Sequence, residues 1–252
     1  MTTSGSAFGS GSGDAAGVPF ILEGAVVRPA AERFHSRLDW LDSWHTFSFG
    51  EHHDPAWMGF GPLRVINDDT IAAGSGFGMH PHRDMEIITV MVEGQLEHRD
   101  SLGHSELLRA GEVQRMSAGT GVVHSEMNRS DRPCRLLQIW IEPEHRGTPP
   151  AYEQKPFTIG AGWTLLLDPD RDGTAMAIQR PVRLWRAKPG PGERLNLPLR
   201  AGHAGWLQLI DGALSAPVPL QRGDGVGLSP SLQRPDLVAS EGGADLLLFE
   251  LA

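Results

Sequence analysis

The sequence predicts an all-β protein made of two antiparallel β-barrel domains of the jelly-roll type. Short apolar segments with the length and alternation of strands recur along the chain, and no long segment has helical periodicity. The 252 residues include 31 glycines and 19 prolines, which suits many strands joined by tight turns. A weak internal repeat indicates that the two domains have similar folds.

Two pairs of segments carry the internal repeat. The segment VEGQL at 92–96 resembles IDGAL at 210–214, and AGEVQRMSAG and RGDGVGLSPS each place a serine six residues after a glycine. Both halves also end in an apolar segment closed by an acidic residue, LLQIWIE and DLLLFEL. We therefore predict an N-terminal domain over residues 19–145 and a C-terminal domain over residues 166–252.

Strands are predicted in close succession in the N-terminal half. Residues 1–18 are rich in glycine, serine and alanine and are expected to form a disordered tail. A short strand is expected in ILEGAVVRPA, and LRVINDDTIAAG is expected to form two apolar halves around a turn at NDD. MEIITVMVEGQLEHRDSLGHSELL predicts three strands with turns at Gly94 and Gly103, and further strands follow in VQRMSAGTGVVHSEMN and RLLQIWIEP.

The chain changes character after Pro143. Residues 146–165 are polar and contain several prolines, which predicts an extended linker or strap. LLLDPDRDGTAMAI then predicts a hairpin with its turn at DRDG, and short strands and turns continue to Ala252. The second domain contains no H-x-H pattern, and its single histidine, His203, does not match the position of any histidine pair in the first half. A metal site is therefore expected only in the N-terminal domain.

Composition excludes several classes of protein. A formal net charge of −9 argues against direct binding of nucleic acids or anionic membranes, because both need a basic face. The single cysteine, Cys134, cannot form an internal disulfide and is typical of a reducing cytoplasm. The sequence contains neither an apolar run long enough to span a bilayer nor the pattern of a signal peptide. We expect a cytoplasmic protein.

Two pairs of side chains predict a metal site. His80 and His82 are two residues apart, so an extended strand points both imidazoles to the same face. His124 and Glu126 repeat that spacing further along the chain. Three imidazoles and a carboxylate suit a transition metal better than calcium or magnesium. We predict one divalent cation and expect iron, with zinc, nickel, copper, manganese and cobalt as alternatives.

Glu86 is the competing carboxylate. If one unbroken strand ran on from His82, Glu86 would share its face, so alternation alone does not exclude it. Four residues along a strand is roughly 13 Å, however, and a bend or bulge would be needed to bring Glu86 back. Glu126 needs neither, because it is two residues from His124. We therefore favour Glu126 as the ligand.

Four further histidines in the first half are expected to be solvated. His98 and His104 lie in the predicted hairpin EHRDSLGHSE, with several charged residues nearby, and a second metal site there is the less favoured alternative. His52 and His53 lie in the turn-like segment GEHHDP and receive the same interpretation. Aromatic side chains are frequent upstream of His80, but most are expected to be core residues. No substrate-binding residue is assigned.

Several motifs resemble those of one known family. The pattern G-x5-H-x-H from Gly74 to His82, followed by Glu86 and Gly94, resembles the first motif of the cupin superfamily. GEVQRMSAGTGVVHSEMN, which begins at Gly111, resembles the second motif, with serine where proline is common and two extra residues before the histidine. HPHRDMEI, SAGTGVVHSEMN, QIWIEP and SWHTFSFG are similar to the pirin family, and within it to bacterial pirin-like proteins assigned as quercetin 2,3-dioxygenases. The likeness extends from about Phe34 to the C-terminus.

This resemblance implies a bicupin fold with metal in the N-terminal barrel, bound by His80, His82, His124 and Glu126. It also implies a dioxygenase that opens the heterocyclic ring of quercetin-like flavonols with dioxygen, with Glu126 as the candidate general base. The alternative is a regulatory pirin in which the metal alters a surface recognised by a partner protein. A deep apolar channel that reaches the metal favours the enzyme, and a shallow site beside a partner-binding surface favours regulation.

Overall fold

The computed structural model describes residues 25–231 and 236–252, so the predicted tail at 1–18 lies outside the described residues. Within these ranges the chain forms two short 3₁₀ helices, Ala30–Glu32 and Pro55–Trp57, and no α-helix. Strands supply the rest of the regular structure, which confirms the all-β prediction. In chain order they are β1 Ala25–Arg28, β2 Phe34–Arg37, β3 Leu41–His45, β4 Leu63–Ile71, β5 Gly76–His82, β6 Glu86–Glu93, β7 Gln95–Asp100, β8 Ser105–Arg109, β9 Glu112–Ser117, β10 Val122–Met127, β11 Cys134–Ile141, β12 Ala151–Pro156, β13 Thr164–Asp168, β14 Met176–Ala177, β15 Val182–Ala187, β16 Arg194–Leu195, β17 Ala204–Ala216, β18 Leu220–Gln221, β19 Gly225–Leu228 and β20 Leu237–Leu251.

Three sheets organise these strands. A seven-stranded sheet has the order β12-β9-β6-β11-β4-β3-β2, and a four-stranded sheet has the order β5-β10-β7-β8. A nine-stranded sheet follows the path β1-β19-β17-β20-β15-β13-β14, with β16 paired to β20 and β18 paired to β17. The first two sheets form the N-terminal barrel and the third forms the C-terminal barrel, so the predicted two-barrel fold is confirmed.

Alternation along the strands of the seven-stranded sheet gives it two chemically different faces. Ile88 of β6 and Ile139 of β11 belong to an apolar core shared with the C-terminal half, which includes Phe249. Their neighbours Thr89 and Gln138 point the other way, where they bond to a side chain of the four-stranded sheet. The polar face therefore lines the interior of the N-terminal barrel.

The C-terminal barrel has an apolar interior. Its two longest strands, β17 and β20, pair along most of their length, and leucines from both, including Leu207 and Leu248, pack with Leu199 and Val226 in a second buried cluster. Both clusters of metal-ligand side chains found in the described residues lie in the N-terminal half. The absence of a metal from the second domain stays a prediction.

The predicted repeat is matched by the backbone at its glycines. Gly94 and Gly212 have φ values of 74° and 71°, and Gly111 and Gly223 both have a φ of 87°. A side chain at Gly94 would lie 2.8 Å from Cys134, and one at Gly212 would lie 2.2 Å from a backbone oxygen. Glycine is therefore needed at equivalent places in both halves.

The structure adds two facts about the predicted domain limits of 19–145 and 166–252. Strand β1, at the start of the first predicted domain, pairs with β19 of the C-terminal sheet. Strand β12, inside the segment 146–165 predicted as a linker, is extended as expected and pairs with β9 at the edge of the seven-stranded sheet. The predicted limits of the two domains stay a prediction, because β1 joins the sheet of the other half.

One predicted turn and one predicted hairpin are wrong. The NDD segment lies inside β4, where Asn67 and Asp69 face the barrel interior and Asp68 faces the opposite side, paired with Arg135. Asn67 and Asp68 have buried hydrogen-bond partners there, so these polar residues are compatible with a strand. The DRDG segment does not close a hairpin, because β13 and β14 are parallel. Two successive turns, closed by the amides of Arg171 and Ala175, reverse the chain twice.

No helix among residues 25–231 and 236–252 has the length and apolar character needed to cross a membrane.

Candidate metal centre

The pairing of β5 with β10 brings three predicted ligands together. His80 lies opposite His124, and His82 lies opposite Val122, so the three imidazoles share the inner face of the four-stranded sheet. The centroid of the His124 ring lies 4.4 Å from that of the His80 ring and 4.9 Å from that of the His82 ring. Their ligand nitrogens lie within 4.8 Å of one another. This is a cluster that one cation can bridge.

The ring nitrogens are arranged as a metal requires. Nδ1 of His80 donates to the carbonyl oxygen of Gly78 at 2.7 Å, which leaves its Nε2 as the nitrogen with a lone pair. Nε2 of His124 is buried and has no hydrogen-bond partner within the described part of the chain. A buried polar atom without a partner is costly, and a bound cation would satisfy it. The residues present therefore fit a metal ion.

Burial keeps the imidazoles of His82 and His124 neutral. Burial, followed by the charge of His80, lowers the pKa of His82 to about 4. Burial, followed by the neighbouring histidines, lowers the pKa of His124 to about 2. Only a neutral imidazole has a lone pair for coordination. These two side chains are therefore ready to bind a cation near neutral pH.

Glu126 lies beside this cluster. A bulge shifts the register between His124 and Glu126, so that Glu126 lies opposite Phe77 of β5. Its carboxylate is buried and accepts hydrogen bonds from Nε2 of Gln138 at 2.7 Å and from Oγ1 of Thr89 at 3.3 Å. Burial raises the pKa of Glu126 to about 7. The carboxyl oxygens group with His124 and His98, not with His80 and His82, so its role as a ligand stays a prediction.

His98 is the residue that the sequence interpretation missed. Its predicted solvated position is wrong, because its side chain is fully buried in β7 directly opposite Glu126. Asp100 lies opposite His124 on the same strand. The signal was present in the sequence, since His98 and Asp100 have the same two-residue spacing as the two predicted ligand pairs. His104 was predicted more accurately, because its side chain is 36% exposed.

A chain of hydrogen bonds leads from Asp100 to His124. Burial alone would raise the pKa of Asp100, but hydrogen bonds from His98 and His104 hold it below its usual value. The ionised carboxylate accepts from Nε2 of His98 at 3.1 Å, so Nδ1 of His98 is left as an acceptor. It lies 3.4 Å from Nδ1 of His124. A proton on that Nδ1 leaves the lone pair of His124 on Nε2, facing the metal site.

Glu86 lies outside both ligand clusters. The expected continuous strand is interrupted between His82 and Glu86, where Asp84 adopts a φ of 50°. Glu86 therefore begins β6 in the other sheet and faces away from the barrel interior. Its carboxylate accepts from the hydroxyl of Ser117 at 2.9 Å and from the amide of Gln179 at 3.4 Å. It was disfavoured because of distance, and the structure instead places it on a different face.

A cavity of about 450 Å³ lies against the histidine cluster. Its wall includes His80, His82 and Glu126, together with apolar and aromatic side chains from the surrounding strands and loops. The rings of Trp140 and His82 are nearly perpendicular, with their centroids 5.0 Å apart. Exposed Leu38 is part of the rim. The volume lies within the range of about 300–1,000 Å³ found for small-molecule sites.

Two of the upstream aromatic residues line this cavity, Phe49 and Phe77. Phe47 and Phe60 instead pack against Trp206 of the C-terminal half. Most of the upstream aromatic residues were expected to be core, and these four divide evenly between core and cavity. Sequence position alone could not separate them, because Phe47 and Phe49 are only two residues apart.

The fold and the site define a two-barrel cupin protein with a candidate centre for one divalent metal in its N-terminal barrel. Residues 27–141 match the family model described as Pirin, and residues 165–251 match the model described as Quercetinase C-terminal cupin domain. The chain belongs to the pirin family.

Relatives match most of the chain. A quercetin 2,3-dioxygenase of Escherichia coli strain K12 is 42% identical over 227 residues, which cover 89% of this chain and 97% of that protein. The bacterial pirin YhhW from Escherichia coli, solved in complex with nickel(II), is 42% identical with a TM-score of 0.85 and covers 90% of this chain and 98% of its own. GK1651 from Geobacillus kaustophilus is 25% identical with a TM-score of 0.72, over 89% of this chain and 94% of its own.

Proposed function

We propose that this protein is a metal-dependent dioxygenase that opens the heterocyclic ring of quercetin-like flavonols with dioxygen. The observation that carries the proposal is the cavity of about 450 Å³, which combines aromatic walls with direct access to His80 and His82. Small-molecule sites typically combine apolar walls with a few polar groups at one end. The relative named quercetin 2,3-dioxygenase supports the choice of reaction. The single cysteine, Cys134, supports a cytoplasmic location.

In this proposal His80, His82, His124 and Glu126 hold one divalent cation. The nickel(II) complex of YhhW supports a divalent metal, while our expectation of iron stays a prediction. Three neutral imidazoles and one carboxylate leave a site with a net charge of about +1. When bound, the metal supplies positive charge that stabilises the deprotonated form of a substrate hydroxyl.

Glu126 is the candidate general base. Its carboxylate is held by Gln138 and Thr89, so it does not need to reorganise before it accepts a proton from a substrate hydroxyl. Burial raises the pKa of Glu126 to about 7, and only the ionised carboxylate can accept a proton. A cation bound beside Glu126 would favour its ionised form.

The apolar walls position the substrate. Trp140 meets Phe49 edge to face at 5.5 Å, and Phe77 lies on the wall beside His80. These rings can hold a flat aromatic molecule against the metal centre and displace water from the reacting end.

The test is an assay of dioxygen consumption and of the loss of the visible absorbance of quercetin, with protein reconstituted with iron, nickel, zinc, copper, manganese or cobalt. We expect turnover with at least one metal and a loss of at least about 100-fold in His124→Ala, because that variant removes a ligand. His53→Ala is the matched control, since His53 is exposed and outside the cavity. Full activity in folded His124→Ala would exclude the proposed site.

The regulatory alternative has its own outcome in the same assay. If no metal supports turnover but the protein still binds one ion through His124, the regulatory function becomes the better interpretation. An exposed apolar pair on the outer face of the ligand strands, Met79 and Val123, is where a partner protein would then be sought.

A further inference from the structure

The cavity has a second polar wall, apart from the metal centre. It is formed by the edge of the seven-stranded sheet, where β2, β3 and β4 point polar side chains inward: Ser36, Ser43, His45, Asn67 and Asp69. Asn67 lies opposite Gln138, which bonds to Glu126. His45 lies opposite Asn67 on the next strand. Two strand spacings, about 10 Å, therefore separate Gln138 from the far part of this wall, which is comparable with the length of a flat molecule of two or three rings.

Most of this wall is internally hydrogen-bonded. Nδ1 of His45 lies 2.8 Å from Oδ1 of Asn67, and its Nε2 lies 2.9 Å from the hydroxyl of Ser36. The amide oxygen of Asn67 accepts from Nδ1, so Nε2 of His45 accepts from Ser36. The same hydroxyl lies 3.1 Å from Nε2 of His52, which completes its bonding. This network positions the wall but offers few free groups to a ligand.

Asp69 is the carboxyl group in this wall. It is 3% exposed, and the hydroxyl of Ser43 is the one hydrogen-bond donor to its carboxyl group within the described part of the chain. Its neighbour Asp68 is paired with Arg135, but no cationic side chain among the described residues pairs with Asp69. A carboxyl group can accept several hydrogen bonds, and burial without them is costly. Asp69 also belongs to neither cluster of metal-ligand atoms.

We propose that Asp69 is a specificity-determining residue that accepts a hydrogen bond from a ring hydroxyl of the substrate, other than the hydroxyl that faces the metal centre. The cavity would then select polyhydroxylated aromatic molecules over analogues that carry only the reacting hydroxyl. A buried acceptor that the protein leaves under-satisfied is completed by a ligand with a matching donor and is left unpaired by a ligand without one. This inference rests on the proposed function, because it takes the flavonol as the occupant of the cavity.

The test compares two substrates in one protein preparation. Quercetin carries several ring hydroxyls, and 3-hydroxyflavone carries only the reacting one. For metal-reconstituted Asp69→Asn we expect kcat/KM for quercetin to fall about 10- to 100-fold, mostly through KM, and kcat/KM for 3-hydroxyflavone to stay within about twofold of wild type. The ratio of the two kcat/KM values does not depend on the fraction of the protein that is active, because both are measured in the same preparation. Asp39→Asn, at an exposed carboxylate outside the cavity, should leave both values unchanged.

An equal loss of kcat/KM for both substrates would show that Asp69 has only a structural role. Wild-type values of kcat/KM for both substrates would also overturn the inference. Binding of the same two flavonols, followed by quenching of tryptophan fluorescence, separates this failure from failure of the proposed function. If wild type turns over neither compound but binds quercetin more tightly than 3-hydroxyflavone, and Asp69→Asn removes that preference, the inference holds and the reaction is wrong. If wild type binds neither compound, the inference is overturned.

Discussion

The tautomer of His124 depends on a residue that is not itself a predicted ligand. His98 receives its orientation from Asp100, a carboxylate that also accepts from the amides of Leu102 and His104. Its free nitrogen then faces Nδ1 of His124. Metal-bound histidines commonly need such a partner on the second ring nitrogen to fix the tautomer and the ring orientation. At the scale of single residues, we therefore expect His98 to act as a positioning residue for the candidate metal centre.

We expect His98→Asn to weaken binding of a divalent metal by about 10- to 100-fold, because His124 loses the group that accepts from its Nδ1. A competition titration against a chromogenic chelator measures this directly. His104→Asn is the matched control, since His104 contacts the same carboxylate of Asp100 but not His124. Equal affinities in the two variants, with both folded, would contradict the positioning role of His98.

The candidate metal centre lies where strands β5 and β10 are in close contact. Gly76, at the start of β5, has a φ of 156°, and a side chain there would lie 2.2 Å from the backbone oxygen of Glu126. Gly78, two residues further along β5, has open space around its α-carbon. At the scale of elements, glycine is needed where the bulged strand passes Glu126, and its conformational freedom is not needed at Gly78.

Gly76→Ala is therefore expected to destabilise the protein by roughly 1 to 3 kcal/mol and to weaken metal binding, because β5 must move away from β10. Gly78→Ala, the same change on the same strand, should leave both properties close to wild type. Thermal unfolding with and without added nickel(II) measures both effects. A stable Gly76→Ala variant with unchanged metal affinity would show that the register of these strands does not depend on this contact.

The two barrels share one apolar core. Phe47 of the N-terminal half packs against Trp206 of the C-terminal half with ring centroids 4.8 Å apart. Beside this core Arg135 bridges the halves, because its guanidinium binds Asp68 at 2.8 Å and Asp211 at 2.8 Å. At the scale of the whole molecule, the halves are therefore expected to unfold together.

Arg135→Met is expected to cost about 3 to 5 kcal/mol, because it leaves the buried carboxylate of Asp68 unpaired. Arg64→Met is the comparison, since the pair of Arg64 and Glu142 is more exposed and should contribute about 0 to 1 kcal/mol. Denaturant unfolding followed by tryptophan fluorescence measures both free energies. Similar small losses in the two variants would contradict a structural role for the bridge at Arg135.

Local geometry explains which features could be predicted from the sequence. Alternation along a strand is a property of neighbouring residues, so the pairing of His80 with His82 on one face followed from their spacing. The repeat also predicted two barrels, because equivalent glycines need the same unusual backbone conformation in each half. The all-β class followed from the same short-range patterns.

The tertiary structure decided which strands became neighbours. His98 became a partner of His124 because β7 pairs with β10, and Glu86 left the site because the chain turns after His82 and enters the other sheet. The sequence predicted a turn at Asp69, but β4 continues through this residue and places it in the wall of the cavity. Short-range patterns determine which face of a strand a side chain uses, whereas contacts between residues distant in sequence determine what that face meets.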